Sequence, residues 1–186
     1  NFYLQDDSGM VNGSVTNDEF DQIASITVDW KFPSVGFEAY LEYAKNDFPG
    51  ELNDLWDLPG RSSAFTFGFI KTVDLKSGNL LKIMVESTSL SENQISKVYT
   101  SGTPTYYVHG IIEQGYTQNG QIIGSGIGPG SNSDFLQFVW YSPKGQWGVH
   151  YRRIRYNDDY LFNTVITPDF APTDHENSFG IHVVRF

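Results

Sequence analysis

The stretch Ile26-Thr-Val-Asp-Trp-Lys-Phe-Pro-Ser-Val-Gly-Phe-Glu-Ala-Tyr-Leu-Glu-Tyr43 decides the fold class. Its first arm puts Ile26, Val28, Trp30 and Phe32 on one side, and Thr27, Asp29 and Lys31 on the other. Its second arm puts Phe37, Ala39, Leu41 and Tyr43 against Glu38, Tyr40 and Glu42. A period of two is the signature of a strand with one apolar face, because successive side chains point to opposite sides of a sheet. Between the arms, Pro33-Ser-Val-Gly36 has turn chemistry, so the whole reads as a β-hairpin.

The same pattern recurs along the chain. Phe65, Phe67 and Phe69 oppose Thr66 and Gly68; after a turn at 76–79, Leu81, Ile83 and Val85 oppose Lys82, Met84 and Glu86. Leu136, Phe138 and Trp140 oppose Gln137. A turn at 143–146 follows, and Trp147, Val149 and Tyr151 then oppose His150 and Arg152. The final run, Phe179 to Phe186, alternates ambiguously: Phe179, Ile181 and Val183 on one side, His182, Val184 and Phe186 on the other. Short turns alternate with long connections rich in Gly, Pro, Asn and Asp, at about 45–62, 91–133 and 157–177. An up-and-down antiparallel array with two unlike ends has that form, as in outer-membrane barrels with short inner turns and long outer loops. Aromatics beside the short turns (Trp30, Phe32, Trp140, Tyr141, Trp147) and near the long loops (Tyr43, Tyr151, Tyr156) match the two girdles of such a wall. A soluble β-sandwich shares the alternation and stays open on this reading alone.

Composition narrows the classes further. The 186 residues are enough for one domain with a substantial core. With 12 Lys+Arg against 22 Asp+Glu, the formal charge of −10 repels nucleic acid. No cysteine is present, which removes disulfides and thiolate metal sites. No apolar run is long enough for a transmembrane helix, while alternating strands of a transmembrane barrel escape that test. The chain begins at Asn1 without an initiator Met, and it is expected to be a piece of something longer.

The second long connection contains Gln114-Gly-Tyr-Thr-Gln-Asn-Gly-Gln-Ile-Ile-Gly-Ser-Gly-Ile-Gly-Pro-Gly-Ser-Asn-Ser133. So many glycines exclude a helix and imply backbone that turns repeatedly or passes close to other chain. It lacks the Lys-Ser/Thr of a phosphate-binding loop. Either the segment folds back to pack, or it forms a glycan-contact surface. It resembles the "QGYTHRGQVLGAGIGPGSNS" motif of the bacterial capsule assembly protein Wzi family almost position for position. Three more segments share that resemblance: Glu38 to Asp47, like "EYA-[RK]-ND"; Ser63 to Phe69, like "S-x-A-[YF]-x-x-G-[FL]" with one residue fewer before the Ala; and Arg153 to Asp159, like "R-[IV]-x-x-N-[ND]-D". The chain departs from the family at Gln118-Asn119, where His-Arg is common, so no role of that basic pair carries over.

The resemblance implies the C-terminal part of an all-β, up-and-down transmembrane β-barrel of about eighteen strands, of which seven or eight are readable here. It also implies an outer-membrane location in a Gram-negative bacterium, and a surface lectin for capsular or exported polysaccharide rather than an enzyme. Expected partners are that polysaccharide, the outer-membrane bilayer and other outer-membrane proteins; no cofactor and no nucleic acid are expected. The alternatives kept are a structural subunit of an outer-membrane complex and a barrel enzyme acting on lipid or glycan.

Sugar recognition needs aromatic faces beside amides and carboxylates. The candidate glycan-binding residues are Trp56, Tyr106, Tyr107, His109, Tyr116, Gln118, Asn132 and Asp134, with no catalytic residue assigned. Asp29, Glu38, Glu42, Lys82, Glu86, His150 and Arg152 are expected on the lumen side, pairing across strands. Glu38 and Glu42 stand roughly 13 Å apart along one strand, too far for a retaining glycosidase pair unless their side chains converge. The histidines show no metal-ligand spacing, no Gly-x-Ser-x-Gly elbow occurs, and Asn157-Asp158-Asp159 offers oxygen ligands without a full calcium loop.

Overall fold

A computed structural model of the chain describes residues 23–46, 63–91, 105–108, 116–159 and 174–186. Among the described residues nine strands form: β1 (Ile23–Phe32), β2 (Phe37–Asn46), β3 (Ser63–Asp74), β4 (Leu80–Ser89), β5 (Thr117–Gln118), β6 (Gln121–Ile122), β7 (Asn132–Ser142), β8 (Gly145–Tyr156) and β9 (Asp174–Arg185). Seven make one antiparallel sheet in the order β1-β2-β3-β4-β7-β8-β9, and β5-β6 is a separate small hairpin. Every neighbour in the large sheet is the next long strand in sequence, so it is an up-and-down meander. The sheet is open: β1 and β9 each have a strand partner on one side only among the described residues.

Register turns the alternation of single strands into two chemically unlike faces. On one face Val85, Leu136, Tyr151 and Phe179 stand in a row; Ile83, Phe138, Val149 and Ile181 form the next, and Leu81, Trp140, Trp147 and Val183 a third. The first row continues into Phe69, Ala39 and Trp30, the second passes through Lys71 to Phe37 and Phe32, and Phe67, Leu41 and Val28 form a further row on β1–β3. Phe67 is 53% exposed, Trp147 51% and Ile181 78%. So much exposed apolar surface on one side of a sheet calls for an apolar partner, either another surface or hydrocarbon. Crossing from β3 to β4 the apolar band shifts along the strands, because the rows of Phe65 and Phe67 run into Ser89 and Ser87.

The opposite, inner face is polar. Asp29, Glu38, Glu42, Lys82, Glu86, His150 and Arg152 all share it by register, as the alternation requires. Among the described residues the expected ladder of opposite charges forms on this face at one end, where Lys31 reaches Asp29 at 2.9 Å and Glu38 at 3.5 Å. Glu86 is instead met by a phenol. Tyr40 lies across Gly68 on the intervening strand and donates its hydroxyl to Glu86 at 2.6 Å. A Cβ at position 68 would come within 2.5 Å of the Tyr40 ring. His150 and His182 lie in the same way over Gly180 and Gly148 of each other's strand.

Several boundaries differ from those read in the sequence. The β7–β8 turn is only Pro143-Lys144, because Ser142 pairs with Gly145 and Gln146 with Tyr141, so the expected 143–146 turn loses two residues to β8. Strand β2 runs through Lys45 and Asn46, β7 begins at Asn132, and β9 begins at Asp174. Polar residues at those ends look like loop in a sequence, yet they lie beyond the apolar band on strands that continue. Tyr141 and Tyr156 do not join the outer girdle: with Trp140 and Trp147 outward, the period of two turns both to the inner face. Strand β9 resolves its ambiguity by pairing, with Phe179, Ile181 and Val183 outward against Tyr151, Val149 and Trp147, and His182 inward.

Candidate functional site: a loop folded onto the inner face

The glycine-rich segment folds back over the inner face at the end of the sheet that carries the long connections. Small inward residues at the strand ends make room for it. Ala44 and Ala64 face each other across β2 and β3. With Leu90 and Ile154 they pack against Tyr106, Tyr107 and Ile127, and Tyr116, Ile122 and Tyr156 close around the cluster. Tyr106 is 2% exposed and Tyr107 9%. Their rings meet edge to face with centroids 4.6 Å apart, and Tyr107 stacks on Tyr116 at 6.4 Å.

Backbone hydrogen bonds fix this arrangement. The N–H of Ser125 donates to the Tyr107 hydroxyl oxygen at 3.0 Å. Gly124 touches the same ring so closely that a Cβ there would lie 2.2 Å from the phenol oxygen, which is why glycine occupies the position. Tyr116 N–H donates to the Tyr107 carbonyl, and Ile123 N–H to the Tyr116 carbonyl. The far end is tied by Leu90 N–H to the Ser131 carbonyl and by Asp158 N–H to the Gly130 carbonyl, both at 2.9 Å. Burial pushes the Tyr106 phenol well above its ordinary value, and the charges of Tyr107 and Glu42 add to it. Tyr107 is raised by burial too, opposed in part by the Ser125 N–H.

Between wall and loop lies a cleft of about 270 Å³ lined by Glu42, Thr66, Leu90, Tyr106, Tyr107 and Ser125, among others. Above it the β5–β6 hairpin turns at Asn119 (φ 51°) and Gly120 (φ 77°), the two positive dihedrals of a type I′ turn. Gln118, Asn119 and Gln121 are exposed at its tip.

The sequence-derived glycan residues therefore separate into three places. Tyr106 and Tyr107 are buried between loop and wall, with Tyr116 half-buried beside them. Gln118 is exposed on the hairpin. Asn132 and Asp134 sit on β7 on the opposite, outward face, just beyond the apolar band. There Asn132 accepts from Ser89 Oγ at 2.7 Å and donates to Asp158 at 2.9 Å, and Asp158 pairs with Arg155 at 2.7 Å. Asp134 accepts from Ser87 at 2.8 Å. Trp56 and His109 lie outside the described residues. Among the described residues no group of three or more His, Asp or Glu is placed to hold a metal, including Asp158 and Asp159. Sequence reasoning placed Glu42 on the inner face but missed Thr66 and Ser125 as its neighbours. The available signal was Ala44 and Ala64, two small apolar residues paired at one level of an otherwise polar face.

The model of the family described as capsule assembly protein Wzi matches residues 2–181. The chain belongs to the capsule assembly protein Wzi family. The match extends well beyond the four segments that carried the resemblance, and covers every described strand in whole or in large part. The Wzi family is one of outer-membrane proteins of Gram-negative bacteria concerned with capsule assembly. The all-β antiparallel sheet, with no helix long and apolar enough to cross a membrane among the described residues, accords with that family. No curated protein and no solved structure matches the chain.

Proposed function

We propose that this chain is part of the wall of an outer-membrane β-barrel of about eighteen strands, closed by strands beyond the seven described. In this reading the apolar face meets lipid and the polar face lines the lumen. The connections at about 45–62, 91–133 and 157–177 are the outward loops, and they hold capsular or exported polysaccharide at the cell surface without chemical turnover. The observation that carries it is the apolar row from Trp30 to Phe179, unbroken across seven strands with further exposed apolar residues beside it, backed by a polar face onto which a tyrosine-rich loop folds. Hairpin amides at Gln118, Asn119 and Gln121 supply donors and acceptors for sugar hydroxyls, and Tyr116 an aromatic edge. Trp56, His109, Asn132 and Asp134 complete the candidate set.

The test uses the intact protein from its native cells. Outer-membrane fractionation with a band that shifts on boiling is expected; a soluble product of unchanged mobility overturns the reading. Polysaccharide retention is then compared for the wild type and Gln118→Ala, which is expected to weaken retention several-fold at a stability change within about 0.5 kcal/mol. The use of Tyr106 and Tyr107 for packing favours a second reading, a structural subunit of an outer-membrane complex, and unchanged retention with co-purifying chains would select it.

A further inference from the structure

The cleft between the inner wall and the glycine-rich loop has the chemistry of a site for one sugar residue, and that chemistry is selective. Its floor is the β2–β3 wall, where Glu42 and Thr66 stand opposite each other in register, and Thr66 Oγ lies 3.1 Å from Thr88 Oγ. Its roof is Tyr106, Tyr107 and Ser125. The volume of about 270 Å³ falls just below the small end of ligand pockets, about 300 Å³, so it takes one ring rather than an oligomer.

Glu42 decides what kind of ring. No ion pair or hydrogen bond among the described residues engages its carboxylate. Among the described residues no lysine, arginine or histidine lines the cleft. Glu42, Tyr106 and Tyr107 line the same cleft, and the carboxylate's charge adds to the upward push on both phenols. A half-buried carboxylate with hydroxyl neighbours accepts hydrogen bonds from vicinal hydroxyls or from an ammonium, and it repels a second carboxylate. The overall charge of −10 acts in the same direction.

We propose that this cleft binds a single neutral or amino-bearing sugar residue through Glu42 and excludes uronic acids, so that the inner wall reads the composition of the glycan held by the loops. This rests on the glycan-binding reading above.

The experiment titrates the intact, detergent-purified protein with glucose, glucosamine and glucuronate, read by saturation-transfer NMR. Each variant is first checked for the heat-modifiable band. Glucosamine is expected to bind more tightly than glucose, and glucuronate to give no signal. Glu42→Gln, which keeps shape and removes charge, should weaken glucosamine about tenfold or more and let glucuronate bind. Thr66→Val, isosteric without the hydroxyl, should weaken glucose and glucosamine alike. No signal with any of the three sugars, glucuronate binding as well as glucosamine, or a Glu42→Gln profile equal to wild type overturns the proposal. If Gln118→Ala lowers polysaccharide retention while the monosaccharide results fail in that way, the cleft falls and the loop reading stands. If the intact protein retains no polysaccharide at all, the glycan reading itself falls.

Discussion

The two faces of this sheet are built from the same strands, yet different rules hold them. Outward, under the proposed barrel reading, Val28, Phe67, Phe138 and Ile181 need only be apolar, since lipid chains accept any shape. Inward, Tyr40 must cross a glycine to reach Glu86, and two tyrosines must fit between Ala44, Ala64 and Gly124. The outer face is therefore specified by hydropathy, and the inner face by geometry.

The largest expected effect sets one face against the other at neighbouring positions. Phe138→Arg places a cation within the apolar band and should destabilise the protein by about 2–4 kcal/mol, measured by urea unfolding in lipid vesicles. Gln137→Arg, one residue earlier and facing inward, should cost less than about 1 kcal/mol. Equal costs would mean that the outward face does not meet lipid. Next comes the ring crossing: Gly68→Ala must displace Tyr40 and strand the Glu86 carboxylate, at a cost of about 1–3 kcal/mol in the same assay. Tyr40→Phe in the Gly68→Ala background should then add little, since the hydrogen bond is already lost.

A smaller effect falls on the loop core. Tyr107→Phe leaves the Ser125 N–H without its acceptor and should cost about 1 kcal/mol, seen as faster proteolytic cutting between Gly120 and Gly130 with the strands intact. The mildest test is pH. The fold favours the neutral phenols of Tyr106 and Tyr107, raising both above the ordinary value of 10.0. Their contribution is whole below pH 10 and is lost as pH rises through the raised folded values, because the unfolded chain gives up those protons first. A spectrophotometric titration should show tyrosines that fail to ionise near pH 10 until the loop opens. Full ionisation there would place both rings in water.

The same contrast explains what the sequence made legible. Strands β1 to β4, β7 and β8 could be read because an apolar row on one face advertises itself every second residue. Strand β9 could not be oriented, because Val184 and Phe186 continue apolar residues onto the inward parity, and only pairing with β8 assigned Phe179 and Ile181 to the outside. Asn132 and Asp134 looked like loop because a strand that leaves the apolar band changes composition without changing conformation. Burial of Tyr106 and Tyr107 had no periodic signature. It depends on Ala44 and Ala64, far away in sequence, and on Gly124 passing beneath a phenol.

The alternation of short and long connections has a kinetic consequence. Closing a chain segment costs entropy that grows with the logarithm of its length, so contacts across two to five residues form before those across forty. Pro143-Lys144, the turn at Pro33–Val35 and that at Lys76–Gly78 each join strands that can zip locally, making β1–β2, β3–β4 and β7–β8 natural units of assembly. The seam between β4 and β7 must wait for the tyrosine loop to be accommodated, which makes that loop a timing element as well as a surface. Pulsed hydrogen exchange during refolding into detergent should protect β7 amides bonded to β8 before those bonded to β4. The reverse order would mean that the loop core organises the wall.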